Sequence, residues 1–594
     1  MCGIVGYVGE REAQPVLINC LKRLEYRGYD SCGIALLGGR TEVYKDAGRI
    51  EELEKVLQSN ESRTGIGHTR WATHGKPSEV NAHPHTDCSG KVAVVHNGVI
   101  ENFLHLKEQL TNEGHTFRSE TDTEVIPHLI EKYYQGNLEQ AVTRALGDIA
   151  GTYAFIAIHA DCKELVVARK DSPLIVGIGD KEYFVASDAP AVLDYTDRVV
   201  YLEDGDIAVI TKNDIKITSN GKQVARTEDR VPWSIEEAQK AGYDHFMLKE
   251  IHEQPRVIRN TYAGYISTIE PEINLEIKRD VDFDNILILA CGTSYHAALV
   301  GKHVIQRLTH IPVNVDIASE FNYSDTVVGK TLVIIITQSG ETADSIRSLK
   351  KAKELSCHTL VITNVVGSSA TRIADDVLYI KAGPEISVAA TKSFIAQLIM
   401  LYLFALARAS VDVRSRGSLI AELRQLPNKV HEILDREGEI AERGKYLAQY
   451  ENVFFIARGI NFPIALEGAL KVKEIAYIHA EGYPAGELKH GPFALLTPDT
   501  PVVAITTRDN TYETLLANIK EIKARESPVI AVAEEGDEEI EKYVDFVIRV
   551  PRVDPIFSPV VNTVALHLLA YYTAKERGCS IDMPRNLAKS VTVE

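Results

Sequence analysis

The sequence has no Cys-x-x-Cys pair: its eight cysteines, at positions 2, 20, 32, 88, 162, 291, 357 and 579, are scattered over 594 residues. That pattern excludes a zinc ribbon and a disulfide framework, and it points to buried thiols in a reducing compartment. A dense run of Lys and Arg is also missing. With 65 basic against 83 acidic side chains the formal charge is −18, which repels a phosphate backbone, so nucleic acid is not an expected partner. The longest uncharged apolar run, Ser393 to Ala407, ends before the roughly 20 residues needed to span a bilayer and is interrupted by Gln397; it reads as a buried core helix, not a membrane segment. No basic n-region precedes the Gly-broken start Met1 to Gly6, and Glu10 and Arg11 follow soon after. A secretory signal is therefore not expected, and the cytoplasm is the expected compartment. What remains is an ordinary globular composition, 45% hydrophobic and 25% charged, long enough for about four domains of roughly 150 residues.

Short β-like runs dominate the first 215 residues, among them 4–8, 92–95, 153–158, 164–168 and 183–186, with helical segments at 13–25 and 123–134. Strands in such close succession predict antiparallel sheets with helices packed on them, an α+β block. From 218 to 245 the chain turns polar, contains Pro232 and loses its apolar period, as a linker does. Beyond it, apolar strands at 285–290, 331–336 and 359–363 alternate with long helical segments, the mark of a doubly wound parallel sheet. This half repeats itself. Asn285 to Gly292 matches Asn452 to Gly459, Thr331 to Thr337 matches Pro501 to Thr507, and Thr359 to Thr363 matches Pro528 to Val532. An internal duplication of an α/β domain follows. The expected divisions are 1–217, a linker 218–245, a first α/β domain 246–420, a helical linker 421–444, a second α/β domain 445–580 and a tail 581–594.

Cys2 is the cysteine whose position carries chemistry. Removal of Met1 would leave its thiol beside an α-amino group of pKa about 8, a base able to activate the nucleophile. A cysteine at position 2 alone is weak, and its context is what counts. That context is Met1 to Gly6, Leu24 to Ser31, Gly67-His68-Thr69-Arg70-Trp71-Ala72-Thr73-His74-Gly75, Asn81 to His85, His96-Asn97-Gly98 and Ser119 to Thr123. In this order the segments resemble the glutaminase domain of N-terminal-nucleophile (class II) glutamine amidotransferases, whose fold is an αββα sandwich of antiparallel sheets. An amide-hydrolysing thiolate needs donors for a tetrahedral oxyanion, which the Asn97 amide and the Gly98 N–H can supply. The resemblance implies that Arg70 and Asp122 take the carboxylate and ammonium of glutamine, with Trp71, Thr73 and His74 lining the pocket. An ordinary ion pair is the alternative for Arg70 and Asp122. His83 and His85 with Cys88 raise the thought of a metal, but the intervening Pro84 favours a turn and a further ligand is missing, so no metal is expected.

In the first α/β repeat, strand 286–290 runs into Cys291-Gly292-Thr293-Ser294, and strand 331–336 into Thr337-Gln338-Ser339-Gly340-Glu341-Thr342. Both turns place hydroxyls at a helix N-terminus beyond the carboxyl end of a parallel strand, which suits a phosphate; helix capping is the alternative. Neither turn has the glycine pattern of a nucleotide loop, so a small sugar phosphate fits better. With Gly383 to Ala389, Ala465 to Glu474, Glu481 to Pro492 and the tail Pro584 to Glu594, these segments resemble the sugar isomerase (SIS) domain family. Thr337 stands where many members have Ser and keeps the hydroxyl.

Glu467, Lys471 and Glu474 share one helical face opposite Ala465, Ala469, Val472 and Ala476, and periodicity alone makes that face a solvated ion-pair row. The resemblance overrides this. It implies that Lys471 and Glu474 face a ligand, that Glu474 moves a proton between sugar C1 and C2, that His490 opens the ring and that Lys589 forms a Schiff base. It assigns sugar-phosphate binding to Thr293, Ser294, Thr337, Gln338, Ser339, Thr342, Val388, Lys471 and Ala588. Leu587, Ala588 and Val591 are expected to dock the tail. Over essentially the whole chain the sequence is similar to amidotransferases joining one glutaminase to two SIS domains. That similarity implies glutamine and fructose 6-phosphate as substrates, no cofactor, Trp71 as the gate of a covered ammonia path, and a homodimer. A phosphoribosyl-transferring amidotransferase would need a pyrophosphate loop with adjacent acids, which is not found. A silent sugar-phosphate sensor would have little use for Cys2, Arg70, Asn97, Glu474 and Lys589 together.

Overall fold

The computed structural model describes residues 2–71, 75–231, 240–266, 272–275, 277, 281–324, 327 and 329–591. The chain forms two compact units, Met1–Ala238 with Ala588–Glu594, and Gln239–Leu587.

The first unit contains an eight-stranded sheet with Gly3–Val8 and Thr64–Arg70 at its centre, and a seven-stranded sheet in which Val92–Ile100 pairs with Gly151–His159. All these pairings are antiparallel. Alternation along the strands sends Ile4, Val8 and Ile66 of one sheet against Val95, Ile156 and Val167 of the other, which is the core between the layers. The opposite residues of the second sheet, such as Val94, Phe155 and Ala157, meet the helices Phe103–Asn112, Val125–Tyr133 and Leu138–Asp148. Ala13–Lys22 covers the first sheet. The result is the expected αββα sandwich. The sheets continue to Arg230, inside the stretch expected as a linker. Lys222–Val224 and Glu228–Arg230 are edge strands with outward side chains, so no apolar period announces them. Pro232 lies outside the described residues.

The second unit contains two five-stranded parallel sheets of identical topology. One runs in the order Val313–Ile317, Asn285–Ala290, Thr331–Thr337, His358–Thr363, Asp376–Tyr379; the other Asn452–Ala457 between His479–Pro484 and Val502–Ile505, followed by Val529–Glu534 and Phe546–Val550. Chain order 2-1-3-4-5 in both confirms the duplication and fixes one switch point per sheet, between its first and third strands. One continuous apolar core joins the halves through the helices Gly292–Thr309, Lys392–Ala407, Phe462–Ala476 and Ser558–Glu576. Every residue from Lys392 to Leu406 is buried, and the Lys392 ammonium is matched by Glu253 at 2.6 Å. The segment 413–447 is two helices, Val413–Leu434 and Glu437–Leu447, whose apolar faces enter the same core. Among the described residues one helical stretch, Pro555–Glu576, is long and apolar enough to cross a membrane, and its most apolar window is 94% buried inside the unit, as a core helix is.

Candidate active sites

The pairing of Gly3 with Thr69 brings Cys2 to the end of strand Thr64–Arg70. There the Trp71 N–H donates to the Cys2 Sγ at 3.2 Å, and the thiol lies 3.4 Å from the Trp71 carbonyl oxygen. Burial raises the Cys2 pKa, against the lowering by the Trp71 N–H and the Arg70 charge. The backbone here is tightly confined: a Cβ on Gly3 would meet Thr69 Oγ1 at 2.5 Å, and one on Gly28 would meet the Arg70 carbonyl carbon and Trp71 nitrogen at 2.7 Å.

Asn97 reaches the same place from the other sheet. Its Nδ2 donates to the Cys2 carbonyl oxygen at 2.9 Å, while its Oδ1 faces His68 Nε2 at 3.2 Å. A primary amide carries two N–H groups, so one remains for a ligand beside Cys2. Gly98 follows with φ +129°, where a Cβ would stand 2.2 Å from the Thr152 carbonyl oxygen; only glycine turns its N–H in this way.

Arg70 is buried and donates to the Gly75 carbonyl at 3.0 Å. Desolvation lowers its pKa, opposed by the charges of Cys2, Asp30 and Asp122. Asp122 is buried as well and accepts from the Ile100 N–H at 2.8 Å. Cys2, Asn97, Gly98, Arg70, Trp71 and Asp122 thus belong to one neighbourhood of the first unit. Thr73 and His74 lie outside the described residues. Sequence reasoning passed over His68 and Asp30; both stand inside motifs it quoted, and only the cross-sheet contact singles out His68. It also set Cys88 beside His83 and His85, and the structure corrects this. The His83 ring stacks on His68 with centroids 4.0 Å apart, and His85 bonds Thr121 at 3.1 Å.

In the second unit, Lys471 and Glu467 are fully buried. The Lys471 ammonium donates to Thr293 Oγ1 at 3.0 Å and to Glu474 Oε2 at 2.5 Å, and lies 3.4 Å from Glu467. Glu467 also receives Thr293 Oγ1–H at 3.1 Å and His296 at 2.7 Å. Despite its desolvation, Lys471 and His296 hold the Glu467 carboxyl at a pKa of about 2, while the two carboxylates raise that of Lys471. The solvated row that periodicity suggests is therefore an interior cluster spanning both repeats, since Thr293 and His296 come from the first and the carboxylates from the second. Glu467 and His296 were not among the expected site residues.

The hydroxyl turns stand at the switch point of the first sheet. Thr337 Oγ1 lies 3.3 Å from Thr342 Oγ1 and accepts the Gly340 N–H at 3.2 Å; Ser339 Oγ accepts the Glu341 N–H at 3.1 Å. The residues before the two helices, Cys291 and Thr342, make no side-chain cap. At these two N-cap positions, then, the side chain does not cap its helix, while Thr337 and Ser339 take up backbone N–H groups within the turn. Gly340 has φ +68°, and a Cβ there would stand 2.0 Å from Ser368 Oγ. Gln338 is tied through its carbonyl to the Asn364 N–H at 3.1 Å, and Ser294 accepts from Gln397 at 3.0 Å.

Val388 N–H donates to the Asp582 carbonyl at 3.0 Å, and the Asp582 carboxylate receives the Phe246 and Met247 N–H groups at 3.0 and 2.9 Å. These bonds, with buried Ile581 and Pro584, seat the start of the tail. Val591, expected to dock it, is 52% exposed instead, because the anchoring is done by Asp582 and by earlier apolar residues. His490 ends the turn Ala485–His490 and is exposed. Lys589 and Ala588 are half-buried and group with the first unit.

An antiparallel sandwich presenting a near-terminal thiol, followed by a duplicated parallel-sheet unit, defines a glutamine amidotransferase fused to sugar isomerase domains. The glutamine amidotransferase domain family matches residues 68–194, and the SIS domain family matches 281–407 and 446–576. The chain is 51% identical to the glutamine-fructose-6-phosphate aminotransferase (isomerizing) of Methanosarcina acetivorans and 47% to that of Thermus thermophilus, each alignment covering 100% of both chains. Among solved structures, the C-terminal domain of glucosamine-fructose-6-phosphate aminotransferase from Francisella tularensis is 38% identical, with a TM-score of 0.56, over 58% of this chain and 100% of that one. The chain belongs to the glutamine-fructose-6-phosphate aminotransferase (isomerizing) family.

Proposed function

We propose that the protein converts fructose 6-phosphate and glutamine to glucosamine 6-phosphate and glutamate, the entry of amino sugar into hexosamine synthesis. The observation that carries this is the Cys2 thiol against Trp71 and Asn97, in a chain whose second unit holds hydroxyl turns at a switch point. Cys2 attacks the side-chain amide carbon of glutamine, with the freed α-amine as base. The oxyanion is met by the Asn97 amide and Gly98 N–H, ammonia leaves, and water releases glutamate from the γ-glutamyl thioester. Arg70 and Asp122 hold the amino-acid end of the substrate, with Trp71, Thr73 and His74 around it.

At the second site, Thr293, Ser294, Thr337, Gln338, Ser339, Thr342, Val388 and Ala588 hold the sugar phosphate. Helix N–H groups and hydroxyls serve a phosphate here despite the overall negative charge. His490 assists ring opening and Lys589 forms a Schiff base with the open chain. Ammonia then replaces the C2 oxygen as an imine, Glu474 takes a proton from C1 and returns one to C2, and Lys471 holds that carboxylate in place. The C1 alcohol is oxidised as the C2 imine is reduced, so the electrons balance within the sugar and no redox cofactor is required.

The proposed divisions are a first domain expected at 1–217 that its edge strands extend to Arg230, then 246–420, 445–580 and the tail 581–594, with 421–444 joining the two repeats. A homodimer with Trp71 gating ammonia rests on the family resemblance, and a cytoplasmic compartment on eight scattered cysteines that suit a reducing one. The test is incubation with glutamine and fructose 6-phosphate: equal amounts of glucosamine 6-phosphate and glutamate are expected, and glutamate without amino sugar would contradict the reading. Sedimentation at assay concentrations tests the dimer.

A further inference from the structure

Cys88, His115 and the helical pair His128 and Glu131 come from three separate segments, yet one ligand atom from each falls within 4.8 Å of all the others. We propose that these four side chains form a structural zinc site in the first unit. The donor set, one thiolate, two imidazoles and one carboxylate, is of the kind that selects zinc over magnesium or calcium.

The spacing fits as well. Metal–ligand bonds of about 2.3 Å to sulfur and about 2.0–2.1 Å to nitrogen and oxygen, at tetrahedral angles, set the ligand atoms roughly 3.4–3.6 Å apart. Here Cys88 Sγ is 3.6 Å from His128 Nδ1 and 3.8 Å from His115 Nδ1, and Glu131 Oε2 is 3.5 Å from His128 Nδ1. The His115 Nδ1 to Glu131 Oε2 distance, 2.9 Å, is a hydrogen bond whose place the ion would take.

The surroundings orient the ligands as a metal site requires. The His128 side chain is buried with the Phe117 ring against it, and its other nitrogen, Nε2, makes no hydrogen bond among the described residues but lies 3.8 Å from Glu124 Oε1, the carboxylate nearest to it. The Thr116 N–H donates to the Cys88 Sγ at 3.4 Å, as backbone amides do to bound thiolates, and the Cys88 N–H reaches Glu131 Oε2 at 3.3 Å. Cys88 is exposed at the rim, which gives an ion its access. With four protein ligands no coordination position is left open, so the ion is structural. It would tie the turn that leads into strand Val92–Ile100, which carries Asn97, to helix Val125–Tyr133 and to the loop leading to Asp122.

Metal analysis of the full chain, expressed with zinc supplied and dialysed against metal-free buffer, should find one zinc per chain. Cys88→Ser combined with His128→Gln should abolish it with the circular dichroism unchanged. Should that variant fail to fold, cobalt added to the stripped wild type decides: tetrahedral visible absorption and a thiolate-to-cobalt charge-transfer band are expected, and zinc should displace them. Metal at less than a tenth of an equivalent, with no cobalt–thiolate absorption, would overturn the proposal, as would zinc retained in full by the double variant.

Discussion

His68, on a strand of one sheet, holds the side-chain carbonyl of Asn97, on a strand of the other, at 3.2 Å. The same Nε2 faces the His96 carbonyl oxygen at 3.1 Å. Both neighbours are acceptors, and burial with the nearby Arg70 charge lowers the His68 pKa to about 3, so the ring is neutral with its proton on Nε2. That proton fixes which way the Asn97 amide points, and hence that its N–H groups face Cys2. His68→Leu should lower kcat for glutamine hydrolysis by about 10-fold with little change in KM, less than the ~10²–10³-fold loss expected for Asn97→Ala. Ammonia-dependent synthesis should be untouched in both, which steady-state assays with each nitrogen donor will check.

Cys2→Ala should abolish glutamine use and leave ammonia-dependent synthesis at its wild-type rate, because the sugar site is made of other residues. Loss of both activities in a folded variant would sink the modular scheme.

Thr342→Ala should raise KM for fructose 6-phosphate by roughly 10-fold, about the worth of one hydrogen bond to a charged group. Its melting temperature should hardly move, since the Thr342 side chain caps nothing. A stability loss of about 1 kcal/mol with an unchanged KM would restore the capping explanation.

Lys471→Met leaves the Glu467 carboxylate buried without its ammonium partner, which costs about 3–5 kcal/mol when one member of a buried pair is removed. Adding Glu467→Gln should recover most of that stability in chemical denaturation while isomerisation stays lost. Recovery of activity along with stability would mean that Lys471 is only structural.

Acid should destabilise the first unit. His68, His83, His85 and His96 are all buried with pKa values pushed below the ordinary 6.5, mainly by desolvation, His68 to about 3. The unfolded chain therefore binds protons that the folded one refuses, and stability falls as pH drops below about 6.5, by ~1.4 kcal/mol per pH unit for each histidine that has titrated in the unfolded state. For His68 the loss continues down to about pH 3. Denaturation midpoints between pH 7.5 and 5 will show the slope; a flat profile would contradict it.

The architecture was legible because periodicity and repetition are local properties. The runs at 285–290 and 331–336 read as strands from their apolar continuity, and the duplication follows from the matched segments alone. Edge strands such as Glu228–Arg230 were not legible, since both their faces meet water and leave no apolar pattern. The helical row Glu467, Lys471, Glu474 shows the limit most clearly. Its spacing is that of a solvated face, and only its packing against Thr293 and His296 turns it into a buried cluster.

By itself the sequence determined the fold class, the order of the domains and the residues able to do chemistry, because these depend on pattern and residue type. Tertiary structure decided which residues meet. It joined His68 to Asn97 across two sheets and seated the start of the tail through Asp582 rather than Val591. It also gave Cys88 the partners His115, His128 and Glu131 in place of the histidines nearest in sequence. Contacts between distant segments follow from how layers pack, and the absence of a Cys-x-x-Cys pair could not exclude four donors that converge only after folding.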